Sequence, residues 1–213
     1  MNNRNIPITE RIAEEILKAK QEINFEKEKA KTDKEEIKGS YNKVIGNVVA
    51  STFRKYISYI LNYYGYDYKV SNVNAYIKGY PTEWDLIILK SNAKERNTNV
   101  YDADDVVAVI EFKTSGLTDN DIDSQFNKHF TNLNNIYDKT TNRIPFLYIT
   151  FSETKKLYER TKEYFDDNNN KKDTTFVFVN YDRLNNLNST HYKDCMYDEN
   201  DNFEDYLLNL LDL

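Results

Sequence analysis

Asp85, Glu111 and Lys113 are the residues of this chain whose types and spacing suit chemistry. Asp85 lies in the run Glu83-Trp84-Asp85-Leu86-Ile87-Ile88-Leu89. Glu111-Phe112-Lys113 closes the apolar run Val106-Val107-Ala108-Val109-Ile110. Period-two alternation puts Glu111 and Lys113 on one face of a strand and Phe112 on the other. If the two strands pair, Asp85 meets Glu111 on that face. Two carboxylates and an ammonium at one sheet edge can hold a divalent cation and set a water against a phosphodiester. A buried strand that ends on charges needs a reason, because burying unpaired charge is costly. The plain alternative is a Glu111–Lys113 or Asp85–Lys113 ion pair closing the strand end.

The elements around these residues follow from periodicity. Residues 9–38 read as a long, highly charged helix with Thr9 as N-cap and a thin apolar stripe of Ile12, Ile16, Ile23 and Ile37. Residues 41–64 carry Tyr41, Ile45, Val48, Val49, Phe53, Tyr56, Ile60 and Leu61 at helical spacing, with Gly65 as a stop. Short strands are expected at 66–70 and 74–77, a turn at Gly79-Tyr80-Pro81, and one strand over 83–89. Residues 91–105 read as a polar loop and 106–113 as a strand buried on both faces. A helix over 121–137, a strand over 145–151, a helix from 152 to about 165, a strand over 174–180 and a closing helix over 203–211 complete the order. Late strands alternating with helices imply a mixed α/β (α+β) fold, a central mixed sheet with helices on both faces. The charged residues 1–38 are set apart as an N-terminal helical extension and 39–213 as the main domain.

Composition narrows the class. The chain has 213 residues, 39% of them hydrophobic and 30% charged, which suits a soluble globular protein with one sizeable core. No apolar run is long enough to span a membrane, and the N-terminus lacks the apolar stretch of a signal peptide, so a cytoplasmic location is expected. Cys195 is the only cysteine, and His129 and His191 lie far apart in sequence, which disfavours a structural zinc site. A net charge of −6 argues against a nonspecific polyanion binder with a strongly basic surface, yet leaves room for a local basic cleft.

Asp85 followed by Glu111-Phe112-Lys113, with Thr114-Ser115-Gly116 behind and a helix over 41–64 ahead, resembles the PD-(D/E)XK nucleases, whose fold is that of restriction endonucleases. The resemblance covers roughly residues 40 to 180. It implies a restriction-endonuclease-like core and a metal-dependent endonuclease acting on double-stranded DNA. It also implies Mg²⁺, with Mn²⁺ as a substitute, held by Asp85, Glu111 and the backbone carbonyl of Phe112. Lys113 would orient the attacking water and offset the charge of the transition state. Cutting both strands takes two centres, so a homodimer is expected. The chain departs from the pattern in two places. Trp84 stands where the family's proline precedes the aspartate, with Pro81 further back. The opening helix reads Ile45-Gly46-Asn47-Val48-Val49-Ala50-Ser51 and offers Asn47 where many members carry an acid, with Glu36 a weaker candidate upstream.

Glu83 and Gln125 are accessory candidates, each with an ordinary surface role as its alternative. Lys155, Lys156 and Arg160 make one stretch locally basic and are candidate DNA contacts, although Glu153, Glu159 and Glu163 interleave with them. A type II restriction-like or other defence nuclease is the leading expectation. A catalytically weak or inactive nucleic-acid-binding module of the same fold, or an RNA-directed nuclease, is the alternative.

Overall fold

The computed structural model describes residues 8–32, 38–113, 131, 144–152, 173–179 and 203–211. The expected helix over 121–137 (apart from Thr131, which is helical) and the one from 152 to about 165 lie outside the described residues, as do Glu36, Gln125, Lys155, Lys156 and Arg160.

Helix α1 spans Ile8–Thr32 and α2 spans Lys38–Tyr63. Strands follow as β1 (Tyr68–Val70), β2 (Ala75–Ile77), β3 (Glu83–Trp84), β4 (Leu86–Lys90) and β5 (Val100–Tyr101). A 3₁₀ turn at Ala103–Asp105 leads into β6 (Val106–Lys113). Then come β7 (Phe146–Ser152), β8 (Asp173–Val179) and a closing helix α3 (Phe203–Leu211).

The main sheet has the order β1-β4-β6-β7-β8, and a smaller one has the order β3-β2-β5. β1, β4 and β6 run antiparallel in sequence, whereas β6, β7 and β8 are parallel. β6 is therefore the seam between an antiparallel and a parallel half, and the sheet is mixed as expected. The register shifts between Ile88 and Leu89, with Val107 as the extra residue on β6.

Each face of the main sheet has its own core. Leu86, Ile88, Ala108, Ile110, Phe112, Leu147 and Ile149 pack with the three helices. Ile87, Leu89, Val109, Phe146 and Tyr148 pack with Trp84, Ala75, Ile77 and Tyr101 of the small sheet. Residues 1–38, set apart by their charge, supply Ile8, Ile12, Ala13 and Ile16 to the helix-side core, while Phe25 further along α1 is 70% exposed. Phe53 of α2 anchors that core, its ring 4.9 Å from Phe112 and 5.1 Å from Phe203. Burying such aromatic rings dominates core energetics.

α2 ends where its sequence says it must. Gly65 takes φ +75°, its N–H donates to Asn62 O at 3.3 Å, and the Tyr66 N–H reaches back to Leu61 O at 2.9 Å. These two bonds are a Schellman cap, and the left-handed backbone at its centre favours glycine. The cap turns the chain sharply from α2 into β1.

Candidate active site

Asp85 sits where the chain changes sheets. The run expected as one strand over 83–89 is two: β3 pairs with β2 in the small sheet, and β4 pairs with β1 and β6 in the main one. Backbone directions explain the break. The Val109 N–H donates to Pro145 O at 3.0 Å, so it faces β7. Alternation then turns the N–H and C=O of Ile110 and Phe112 toward β4. Leu86 meets Ile110 in the ladder, and Trp84 would meet Phe112 next, but Trp84 pairs with Ala75 instead. The Phe112 N–H thus lies past the end of the ladder. It donates to Asp85 Oδ2 at 2.6 Å. The Asp85 carbonyl in turn accepts the Asn74 N–H at 3.1 Å.

Glu111 comes next in the same register. Extending the Leu86–Ile110 pairing by one residue sets Asp85 opposite Glu111, and on the other side Glu111 is in register with Tyr148 of β7. Asp85, Glu111 and Tyr148 therefore form one row across three strands, on the face covered by the small sheet. Asp85 and Glu111 are half-buried, in contrast to the fully buried Ile87, Val109 and Phe146 behind them. Burial first, then the Glu111 and Asp85 carboxylates, push the Tyr148 phenol pKa well up, so both acids act on the same hydroxyl.

The donor set suits a hard divalent cation. The register sets two carboxylate residues side by side at the end of a ladder, and the Phe112 carbonyl points to the same side of β6 as its N–H. A carboxylate has about four lone-pair sites, so accepting one N–H still lets Asp85 bind a cation. One or two carboxylates with water completing the sphere is the usual Mg²⁺ arrangement. Among the described residues no group of three His, Cys, Asp or Glu side chains is placed to hold a metal ion, so a cation here would have only this pair and the carbonyl to hold it.

No protein-family model matches this chain, and no curated protein or solved structure matches it.

The accessory candidates fall in different places. Glu83 is exposed on β3 and accepts a hydrogen bond from the hydroxyl of Tyr76, its partner across β2. Asn47 is exposed on α2 and lines a groove of about 430 Å³ with Glu15, Val44, Val48, Ser51, Thr52 and Lys55; neither Asp85 nor Glu111 lines it. Lys113 closes β6 in register with Thr150, and its side chain is outside the described residues. Trp84, standing at the proline position, is fully buried with its ring 6.0 Å from Phe146.

Two positions escaped sequence reasoning. Tyr148 reads as one more apolar residue of β7, and only the parallel register with β6 brings it to Glu111. Asn99 lies in the stretch expected as a polar loop, yet it is buried at φ +58°. Its Nδ2 donates to the carbonyls of Asn72, Val73 and Asn74 at 3.3, 2.8 and 2.8 Å. That amide braces the segment whose Asn74 N–H holds Asp85. An asparagine immediately before the apolar pair Val100-Tyr101 was the available signal, since Asn tolerates left-handed backbone.

Proposed function

We propose that this chain is a Mg²⁺-dependent endodeoxyribonuclease of the restriction-endonuclease-like kind, acting on double-stranded DNA as a homodimer. The observation that supports the reading best is the adjacency of Asp85 and Glu111 at the end of the β4–β6 ladder, with the Phe112 carbonyl on the same side. In this reading Asp85, Glu111 and that carbonyl hold the cation. When bound, the cation supplies Lewis acidity and positive charge at the phosphate. Lys113 orients the attacking water and offsets charge as the water oxygen bonds to phosphorus and an ester P–O bond breaks. Asp85 is held in place by the Phe112 N–H and Asn74 N–H, so it needs little reorganisation to act.

The test is cleavage of plasmid DNA with Mg²⁺ or Mn²⁺, against EDTA and against Asp85→Asn. Metal-dependent cutting that the variant lacks supports the proposal; cutting that survives either control overturns it. Sequencing the ends separates a restriction enzyme, with discrete sites, from a nonspecific nuclease. An RNA competitor tests the choice of nucleic acid.

A second reading, a nucleic-acid-binding module without chemistry, draws on the lack of a third ligand side chain among the described residues. DNA binding with neither cleavage nor Mn²⁺ binding would favour it.

A further inference from the structure

We propose that Arg54 of α2 grips a backbone phosphate of the nucleic acid close to the one that is cut, using the guanidinium Nη groups that the fold leaves open. The inference rests on the nucleic-acid reading of the Asp85–Glu111 centre.

Arg54 is tied to the segment that supports Asp85. It is exposed on α2, and its Nε donates to the Ser71 carbonyl at 2.7 Å. That carbonyl is open because of the Ser71 side chain. Ser71 follows β1 opposite Ile87 and donates its N–H to the Ile87 carbonyl at 2.9 Å. Such a pair ordinarily exchanges two backbone bonds. Here the Ile87 N–H goes instead to the Oγ of the buried Ser71, also at 2.9 Å. The Ser71 carbonyl is thereby left to Arg54.

The placement suits a phosphate near the reacting one. Ser71 stands two residues along β4 from Asp85. At a rise of about 3.4 Å per residue and about 4.8 Å between strands, it lies about 8 Å from Asp85. Its segment runs on to Asn74, whose N–H holds the Asp85 carbonyl. Burial and then Glu95 push the Tyr101 phenol pKa up, and the Arg54 charge works against both. Tyr101 belongs to the small sheet, so that charge acts past the β1 edge, on the side where Asp85 and Glu111 stand.

The free donors fit a phosphodiester. Arginine has five N–H donors in a planar fork, and the Nε bond uses one while fixing the plane. The Nη groups remain for two non-bridging oxygens, a bidentate match. Among the described residues no carboxylate pairs with Arg54, whereas the adjacent Lys55 pairs with Glu15. Fastening α2 to Ser71 takes a single neutral donor, so the charge and the fork have no use in that role.

The experiment is binding of a labelled DNA duplex by the full chain in EDTA, from about 50 to about 200 mM salt. Wild type, Arg54→Gln, Arg54→Lys and Lys43→Gln are compared, with Mn²⁺ calorimetry and thermal melts alongside. In Arg54→Gln the amide nitrogen stands as many bonds from the backbone as Nε does. The bond to Ser71 is kept while charge and fork are lost. Its DNA affinity should fall about tenfold. The slope of log affinity against log salt should flatten by about 0.9. Its melting temperature and Mn²⁺ affinity should match wild type. Arg54→Lys keeps the charge and should keep the slope. Lys43→Gln removes an exposed cation earlier on α2 and should change neither affinity nor slope. Wild-type affinity and slope in Arg54→Gln overturn the role of Arg54 and leave the nuclease reading standing. An equal flattening in Lys43→Gln does the same, since the effect is then one of net charge. Loss of stability or of Mn²⁺ affinity in Arg54→Gln makes Arg54 a scaffold residue and also overturns the proposal. Absence of DNA binding by the wild type overturns the nucleic-acid reading itself. If Arg54→Gln fails to fold, Arg54→Met gives the same comparison of slopes, and a wild-type slope there overturns the proposal.

Discussion

Asp85 Oδ2 accepts the backbone N–H of Phe112 at 2.6 Å, where the β4–β6 ladder has no further strand residue to offer. The side chain does the work of the missing strand. Its loss should therefore be felt in stability as well as function. Asp85→Ala leaves the Phe112 N–H without this acceptor, at a cost of about 1–3 kcal/mol. Asp85→Asn keeps an oxygen at the position and should cost about 1 kcal/mol less than Asp85→Ala. Urea denaturation in EDTA measures both, and equal stabilities for the two variants would show that the bond carries nothing.

Asn99 should behave as a brace for Asp85 from a distance. Its amide ties three consecutive carbonyls, and its φ of +58° suits few side chains. Asn99→Ala removes those bonds and adds left-handed strain of about 1–2 kcal/mol, for a total near 2–4 kcal/mol. Asn99→Gly removes the same bonds without the strain and should be the more stable variant. Chemical denaturation of the pair checks the order; an alanine variant as stable as wild type would remove Asn99 from the account.

These two residues also mark where the sequence could and could not be read. β6 was legible from Val106 to Lys113 because its apolar run is bounded by acids at one end and by Glu111-Phe112-Lys113 at the other. α2 was legible from its stripe and from Gly65. The division of 83–89 was not, because Trp84 and Leu86 are both apolar and buried, and nothing local says that they serve different sheets. β5 was hidden because a two-residue strand leaves no periodicity. α1 was set apart as an extension because its few isoleucines are outnumbered by charges, yet Ile8, Ile12, Ala13 and Ile16 bring its first half into the helix-side core. For the site, Asp85 beside Glu111 followed from strand pairing, whereas Tyr148 needed the parallel register, which depends on tertiary packing rather than on local pattern.

The α1–α2 contact should respond to acid. Glu15 accepts hydrogen bonds from Lys55 at 2.6 Å and Tyr56 at 2.8 Å. Burial works to raise the Glu15 pKa, but these two partners together outweigh it and the net shift is downward from 4.5. A lowered carboxylate pKa stabilises the fold fully above the unfolded value, and that contribution is lost as pH falls through the folded one. With both side chains partly exposed, 41% for Glu15 and 61% for Lys55, the effect should stay below about 1 kcal/mol. The stability gap between wild type and Glu15→Gln should be present at pH 7 and close as the pH is lowered well below 4.5. A gap independent of pH in urea melts would rule the pair out as its source.

Lys113 should separate chemistry from metal binding. In the proposed mechanism it acts on the water and on developing charge, and it does not hold the cation. An ammonium close to a divalent cation repels it, so Lys113→Ala should bind Mn²⁺ as tightly as wild type or more tightly. Cleavage should nevertheless fall by about 10²–10³-fold, the usual cost of losing one group that stabilises transition-state charge. Asp85→Asn should show the opposite split, with weakened Mn²⁺ binding and lost cleavage together. Calorimetry with Mn²⁺ and single-turnover plasmid cleavage, run on the same preparations, give both readings. If Lys113→Ala weakens Mn²⁺ binding as Asp85→Asn does, Lys113 belongs to the metal site's scaffold, and the water-orienting role falls.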